Sequence, residues 1–292
     1  MKRRRQSGDP EGMDHASASE EMENIMNTRV LQDKNAVVFG AGGSIGAAVA
    51  KEFAAEGAIV FLAGRTKAGL EAVAKQITAT GGKARTTVID ALDDASVNQY
   101  IEGIVNQVGR IDIVLDAAGP LAKQYGNGKN AVDLSIDEFM VPLATMVRSR
   151  FITARAAARH MVKQRSGVII FVTGSPARAH TPGVTAIGAA FGAMETLTEN
   201  LAFEVSPFGV RVVCLRTLAN TDSRSIQDTM DFLASRLSIT KEQATTQIAQ
   251  SSFLKIPATI QDTANAAVLI ASDRARKLTG TVVNATAGAA LD

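Results

Sequence analysis

Val37–Ala58 reads VVFGAGGSIGAAVAKEFAAEGA: an apolar run, a cluster of glycines, then small residues in helical spacing. A strand that feeds a helix through such a turn has one common physical use. Gly40, Gly42 and Gly43 let the backbone bend tightly and leave no Cβ between it and a pyrophosphate. The helix opening at Ser44 points its free amides and positive dipole end at the same place. Gly46 lets that helix lie close on the strand. Gly40, Gly42 and Gly46 form G-x-G-x-x-x-G, one residue longer than the commonest dinucleotide fingerprint. Gly40, Gly42, Gly43, Ser44, Ile45 and Gly46 are therefore expected to cradle phosphate.

Outward from this turn, short apolar runs alternate with longer amphipathic segments. The expected strands are Ala36–Ala41, Ala58–Gly64, Arg85–Asp90, Ile111–Gly119, Gly167–Gly174, Val210–Thr217 and Thr281–Thr286. Val and Ile dominate them without polar alternation, the pattern of strands buried on both faces. Helices are expected over Ser44–Glu56, Lys67–Thr80, Ala95–Val108, Ser135–Gln164 and Pro182–Val205, with a last one opening at TIQD, Thr259–Asp262. Ser135 and Glu138 form a capping-box pattern, Pro142 falls early in its helix, and Thr181 is the expected cap before Pro182. Right-handed crossovers then give an α/β fold, a Rossmann-type doubly wound parallel sheet of seven strands in a single domain over residues 31–292. Its crevice lies beyond the carboxyl ends of the strands.

Composition agrees and excludes other classes. The chain has 292 residues, 46% of them hydrophobic, a net charge of +2 and one cysteine. That charge balance gives no reason to expect nucleic acid or an anionic membrane as partner. Cys214 lies in an apolar run and is read as a core residue, in keeping with a reducing, cytoplasmic setting. Three histidines and one cysteine offer no metal cluster. Residues 1–30, basic at Arg3, Arg4 and Arg5 and then polar around His15, read as a disordered tail.

At the end of the second strand, FLAGRT places Arg65 where an acidic side chain would bond a ribose 2′-hydroxyl. No carboxylate repels a 2′-phosphate there, and a guanidinium is available to pair with one. NADP(H) is expected in preference to NAD(H).

From about Val30 to Asp292 the chain resembles the short-chain dehydrogenase/reductase family. GAGGSIG is similar to that family's T-G-x-x-x-G-x-G turn, with Phe39 for Thr and Ser44 for the middle Gly. VIDALDD resembles the end of its third strand, which implies that Asp90 and Ala91 contact adenine. LDAAG stands for N-N-A-G: Asp116 and Ala117 replace two asparagines, and Ala118 and Gly119 are kept as cofactor contacts. The resemblance also implies a catalytic Ser, Tyr and Lys, and here the chain departs from it. Anchored on GAMETLTENLAFE, the Tyr position falls on Ile187, the Lys position on Phe191 and the Ser position on Gly174. A supporting Asn would fall near Thr145 or Met146, and Thr217 and Leu218 replace a proline–glycine pair.

Neither Ile187 nor Phe191 exchanges a proton; with Met194 and Thr198 they make one helix face apolar. That face is either plain packing surface or the dry wall of a pocket for an apolar substrate. The substitute catalytic candidates on strand-end loops are Ser175, His180 and Tyr125, with Arg178 nearby. His160 reads as a surface residue. Residues 218–256, with Phe232, Leu233 and Leu237 on an apolar helix side, read as a substrate lid. The sequence thus points to an NADP(H)-binding oxidoreductase for a small apolar carbonyl/alcohol with non-standard catalytic residues. The alternatives are an inactive NADP(H) sensor or partner subunit, or a non-redox lyase or isomerase. By analogy with the family, the two long helices imply a homodimer or homotetramer.

Overall fold

In the computed structural model, which describes residues 29–292, the strand before the glycine turn is Asn35–Phe39 (β1), and all five of its residues are buried. Ala36 and Val38 enter one core cluster, Val37 and Phe39 the other, so two helical layers cover the two faces of this strand. The remaining strands are Ile59–Gly64 (β2), Lys83–Val88 (β3), Ile113–Asp116 (β4), Gly167–Gly174 (β5), Val210–Thr217 (β6) and Thr281–Ala285 (β7). They form one sheet in the order β3-β2-β1-β4-β5-β6-β7. Every pairing is parallel, with Val38 beside Leu62 on one side and Leu115 on the other. The order reverses at β1, so the crevice between the β1 and β4 ends is the switch point where such sheets bind ligands.

The helices are Ser44–Ala55 (α1), Lys67–Ala79 (α2), Asp94–Val108 (α3), Ile136–Pro142 (α4), Arg148–Gln164 (α5), Thr185–Val205 (α6), Arg224–Leu237 (α7), Lys241–Gln250 (α8) and Ile260–Ala271 (α9). Capping boxes at Ser135/Glu138 and Thr259/Asp262 start α4 and α9 where the sequence pattern puts them. Thr240 and Gln243 add a third at α8.

Three expectations need correction. The Arg85–Asp90 run becomes β3, an edge strand with no buried residue, so it is not covered on both faces. The single helix expected over Ser135–Gln164 is interrupted by a π-turn at Leu143–Val147, directly after Pro142. A proline has no amide to give the regular ladder, and the wider turn absorbs the mismatch. The active-site helix begins at Thr185 rather than Pro182, and Val184 takes the cap position instead of Thr181. The reason lies in Gly183, whose φ is +84° and whose carbonyl accepts from the Gly128 amide at 2.7 Å. A Cβ on Gly183 would meet Gly128 Cα at 2.5 Å. The segment before α6 is thus used to dock the loop after β4 and cannot also be helix. The tail, with His15 and Arg3 to Arg5, lies outside the described residues, as do the side chains of Phe232, Leu233 and Leu237.

Candidate functional site

The glycine turn has the geometry its sequence implies. Gly40 adopts φ +73°, and a Cβ there would stand 2.6 Å from the Ala118 amide nitrogen. A Cβ on Gly46 would lie 2.3 Å from the Gly40 carbonyl oxygen. These two positions admit glycine alone, one because the β4 end closes on the turn and the other because α1 does. Gly42 and Gly43 are exposed, and no side chain caps the α1 terminus at Gly43. The first α1 amides therefore have no capping side chain, which suits a phosphate. The Ser44 Oγ accepts from the Arg224 amide at 3.1 Å and ties the start of α7 to the turn. Ile45 is half-buried beside it.

Further along the crevice, a cavity of about 500 Å³ is lined by Arg65, Thr87, Val88, Asp90, Gln99 and Tyr100, among others. It gathers the ends of β2 and β3, and Arg65 and Asp90 are both exposed at it. Asp90 Oδ1 accepts from the Leu92 amide at 3.0 Å, while Ala91 is buried behind it. Phe39, at the family's threonine position, packs edge-on against Tyr100 with ring centroids 6.1 Å apart. Burial pushes the Tyr100 phenol up, with Thr87 opposing the shift. These residues fit the adenosine half of a dinucleotide: a cradle any side chain would fill, free helix amides, and a cation at the far end.

The expected catalytic wall is apolar in three dimensions as well. Ile187 is buried, Phe191 half-buried, and Met194 and Thr198 fully buried behind them. A Cβ on Gly174 would meet Phe191 Cε2 at 2.9 Å. The Phe191 ring thus covers Gly174, and these two residues pack as one unit. Thr145 lies within the π-turn and donates to the Val141 carbonyl at 2.6 Å. Met146 packs over Gly119, where an added Cβ would meet its Cε at 3.6 Å.

The structure does not bring the substitute candidates together. Ser175 is half-buried, and its carbonyl accepts the amides of Arg178 and Ala179 in the turn after β5. His180 is exposed and lines a second cavity of about 350 Å³ with Thr181, Val184, Thr185 and Gly188. Tyr125 sits in a 3₁₀ turn, Ala122–Tyr125, and is buried in the core cluster that includes Ile187. Burial pushes its phenol up to about 12. No hydrogen bond joins any two of the three. Among the described residues, no group of His, Cys, Asp or Glu could hold a metal ion, and no helix is long and apolar enough to cross a membrane.

Buried charges near the strand ends are what the sequence reading missed. Glu195 and Arg216 form a forked pair, Nε to Oε1 at 2.8 Å and Nη2 to Oε2 at 3.0 Å, both 1% exposed. Asp292 also pairs with Arg216, and Arg178 Nε approaches Glu195 Oε2 at 3.4 Å. Thr173 donates to Glu195 Oε1 at 3.4 Å and stands 3.2 Å from Cys214 Sγ. Burial pushes the Cys214 thiol up to about 12, so it remains a protonated core residue. The one available signal was a charge inside an apolar strand, Arg216 in VRVVCLRT.

A doubly wound parallel sheet with a glycine cradle at its switch point defines a nucleotide-binding α/β protein. The family model for short chain dehydrogenases matches residues 34–228, and the chain belongs to this family of oxidoreductases. It is 31% identical over 261 residues to the short-chain reductase protein NovJ of Streptomyces niveus, covering 89% of this chain and 95% of that protein. NAD+-bound xylitol dehydrogenase superposes with a TM-score of 0.81 at 24% identity, covering 88% of this chain and 99% of the other. A Burkholderia cenocepacia J2315 short chain dehydrogenase in complex with NADP gives 0.72 at 24% identity, covering 89% and 99%. Both nicotinamide dinucleotides thus occur on this fold.

Proposed function

We propose that the chain binds NADP(H) and acts as an oxidoreductase on a small, apolar carbonyl/alcohol pair without a tyrosine–lysine acid. The observation that carries the cofactor half is Arg65 at the rim of the 500 Å³ cavity, with no carboxylate at the end of β2. Nicotinamide, when bound, supplies or accepts the hydride. The chain's own residues do the rest. Gly40, Gly42, Gly43, Ser44, Ile45 and Gly46 would receive the pyrophosphate, Arg65 would pair with the 2′-phosphate, and Asp90 with the Ala91 backbone would meet adenine. Ala118 and Gly119 form the opposite wall. Ile187 and Phe191 exclude water from the substrate. Ser175 hydrogen-bonds the substrate oxygen, and His180 or Tyr125 supplies the proton.

Residues 218–256 serve as the lid, a reading supported by the Ser44 to Arg224 bond that seats α7 at the cradle. Phe151 on α5 and Phe203 on α6 are 47% and 86% exposed, which supports a homodimer or homotetramer through these helices.

The Phe191 ring over Gly174 favours a second reading, a cofactor-binding sensor or partner subunit without turnover. One set of measurements separates the two. Purified protein is titrated with NADPH and NADH, then mixed with a panel of aliphatic aldehydes and ketones while cofactor absorbance is followed. Arg65→Ala is expected to weaken NADPH about tenfold or more, as loss of a charge-assisted contact should, and NADH far less. Equal losses overturn the NADP(H) assignment. Cofactor oxidation lost in His180→Ala or Tyr125→Phe supports the enzyme. Binding without turnover supports the sensor. Product formed at constant cofactor absorbance points to a lyase or isomerase.

A further inference from the structure

Beneath the end of β4 lies a buried ion pair that the sequence alone does not announce. Asp116 and Arg150 are each 1% exposed, and Arg150 Nη1 stands 3.7 Å from Asp116 Oδ1. Dehydrating two charges offsets most of their attraction, so such a pair is a poor way to add stability. Its geometry instead converges on one residue. Asp116 Oδ1 accepts from the Ala118 amide at 2.8 Å, and Arg150 Nη1 donates to the Ala118 carbonyl. Both backbone polar groups of Ala118 are thus clamped by the two ends of one salt bridge. Thr153 braces the other oxygen of Asp116 at 3.1 Å, and Ser149 Oγ accepts from Arg150 at 3.1 Å. Arg150 Nε, by contrast, is buried without a partner. The guanidinium is oriented to serve the corner and not its own donors.

Helix α5 is set up to deliver this side chain. It leaves the π-turn at Leu143–Val147 with Arg150 facing inward and Phe151 outward, the reverse of what hydrophobicity alone would choose. The corner it reaches is the one that closes on the glycine turn, since the Ala118 amide is what a Gly40 Cβ would strike.

We propose that Arg150 is a positioning residue for the dinucleotide. With Asp116 it holds the Ala118–Gly119 corner at the spacing from the glycine turn that the cofactor needs. This rests on the NADP(H) reading above.

The test compares wild type with Arg150→Met, Arg150→Lys and the double variant Asp116→Asn/Arg150→Met, measuring NADPH binding by calorimetry and thermal unfolding without ligand. Arg150→Met strands a buried carboxylate, and both its Tm and its NADPH affinity should fall. The double variant removes that stranded charge, so its Tm should return toward wild type. Its affinity should stay about tenfold weaker, because the Ala118 carbonyl is still unheld. Arg150→Lys, which keeps the charge on a shorter side chain that does not carry it out to where Nη1 meets the Ala118 carbonyl, should also bind about tenfold more weakly. Affinity returning together with Tm in the double variant would reduce the pair to a structural role and overturn the proposal. So would wild-type affinity in Arg150→Lys. A wild-type chain that binds neither dinucleotide removes the cofactor reading itself, and this inference with it, before any variant is made.

Discussion

Replacing Gly174 with alanine tests whether the apolar wall is one packing unit. The backbone there is extended, φ −137° and ψ 169°, so a side chain brings no conformational penalty. The cost comes from neighbours: the new Cβ would stand 2.9 Å from Phe191 Cε2 and 3.4 Å from Pro176 Cδ. Carbon contacts are optimal at about 3.5–4.0 Å, so the ring must move. Overpacking of this kind costs about 1–3 kcal/mol. At this chain length each kcal/mol lowers Tm by about 2–4 °C. Phe191→Ala alone removes a half-buried ring, worth about 1–2 kcal/mol. In the double variant the added methyl enters space the ring has left, so Gly174→Ala/Phe191→Ala should be no less stable than Phe191→Ala. Urea unfolding of the four proteins gives the coupling. Additivity within about 0.5 kcal/mol would refute the claim that the ring and the glycine are a matched pair.

Two further outcomes follow from buried titratable groups. The Tyr125 phenol is held up to about 12 by burial, above the unfolded value of about 10. Below pH 10 both states keep the proton and stability is unaffected; between about pH 10 and 12 only the unfolded chain loses it, and stability falls by about 2–3 kcal/mol. Because the Tyr100 phenol is also held up by burial, both proteins lose stability over that window; urea midpoints that decline more steeply in wild type than in Tyr125→Phe would bear this out, and parallel declines would count against it. Glu195→Ala leaves Arg216 buried with only Asp292 and should cost about 3–5 kcal/mol in chemical denaturation. A loss below about 1 kcal/mol would mean that the fork contributes little.

The fold was legible because its signals are local and repeated. Glycine spacing, apolar strand runs and capping boxes each act within a few residues, and β5 and β6 fall on their expected bounds. The site was legible only where backbone demands dictate residue type, as at Gly40 and Gly46. Nothing local announces that Arg150 turns inward, because its direction is set by a π-turn and by a carboxylate from β4. The start of α6 was misplaced for a similar reason: the Thr181–Pro182 signal is sound locally but yields to a contact with Gly128, more than fifty residues earlier in the chain. Ile187 and Phe191 could be read as non-protic from the sequence. That the Phe191 ring fills the space above Gly174 could not, since ring placement depends on the path of α6 over β5.

The glycine contact at 128 and 183 has a mechanical consequence. The loop after β4 and the loop before α6 are joined there main chain to main chain, the Gly128 amide to the Gly183 carbonyl. Displacing one loop without the other would break that bond, so the two are coupled where they meet. A side chain at Gly183 would press its Cβ to 2.5 Å from Gly128 Cα, and the two loops would have to part at that point.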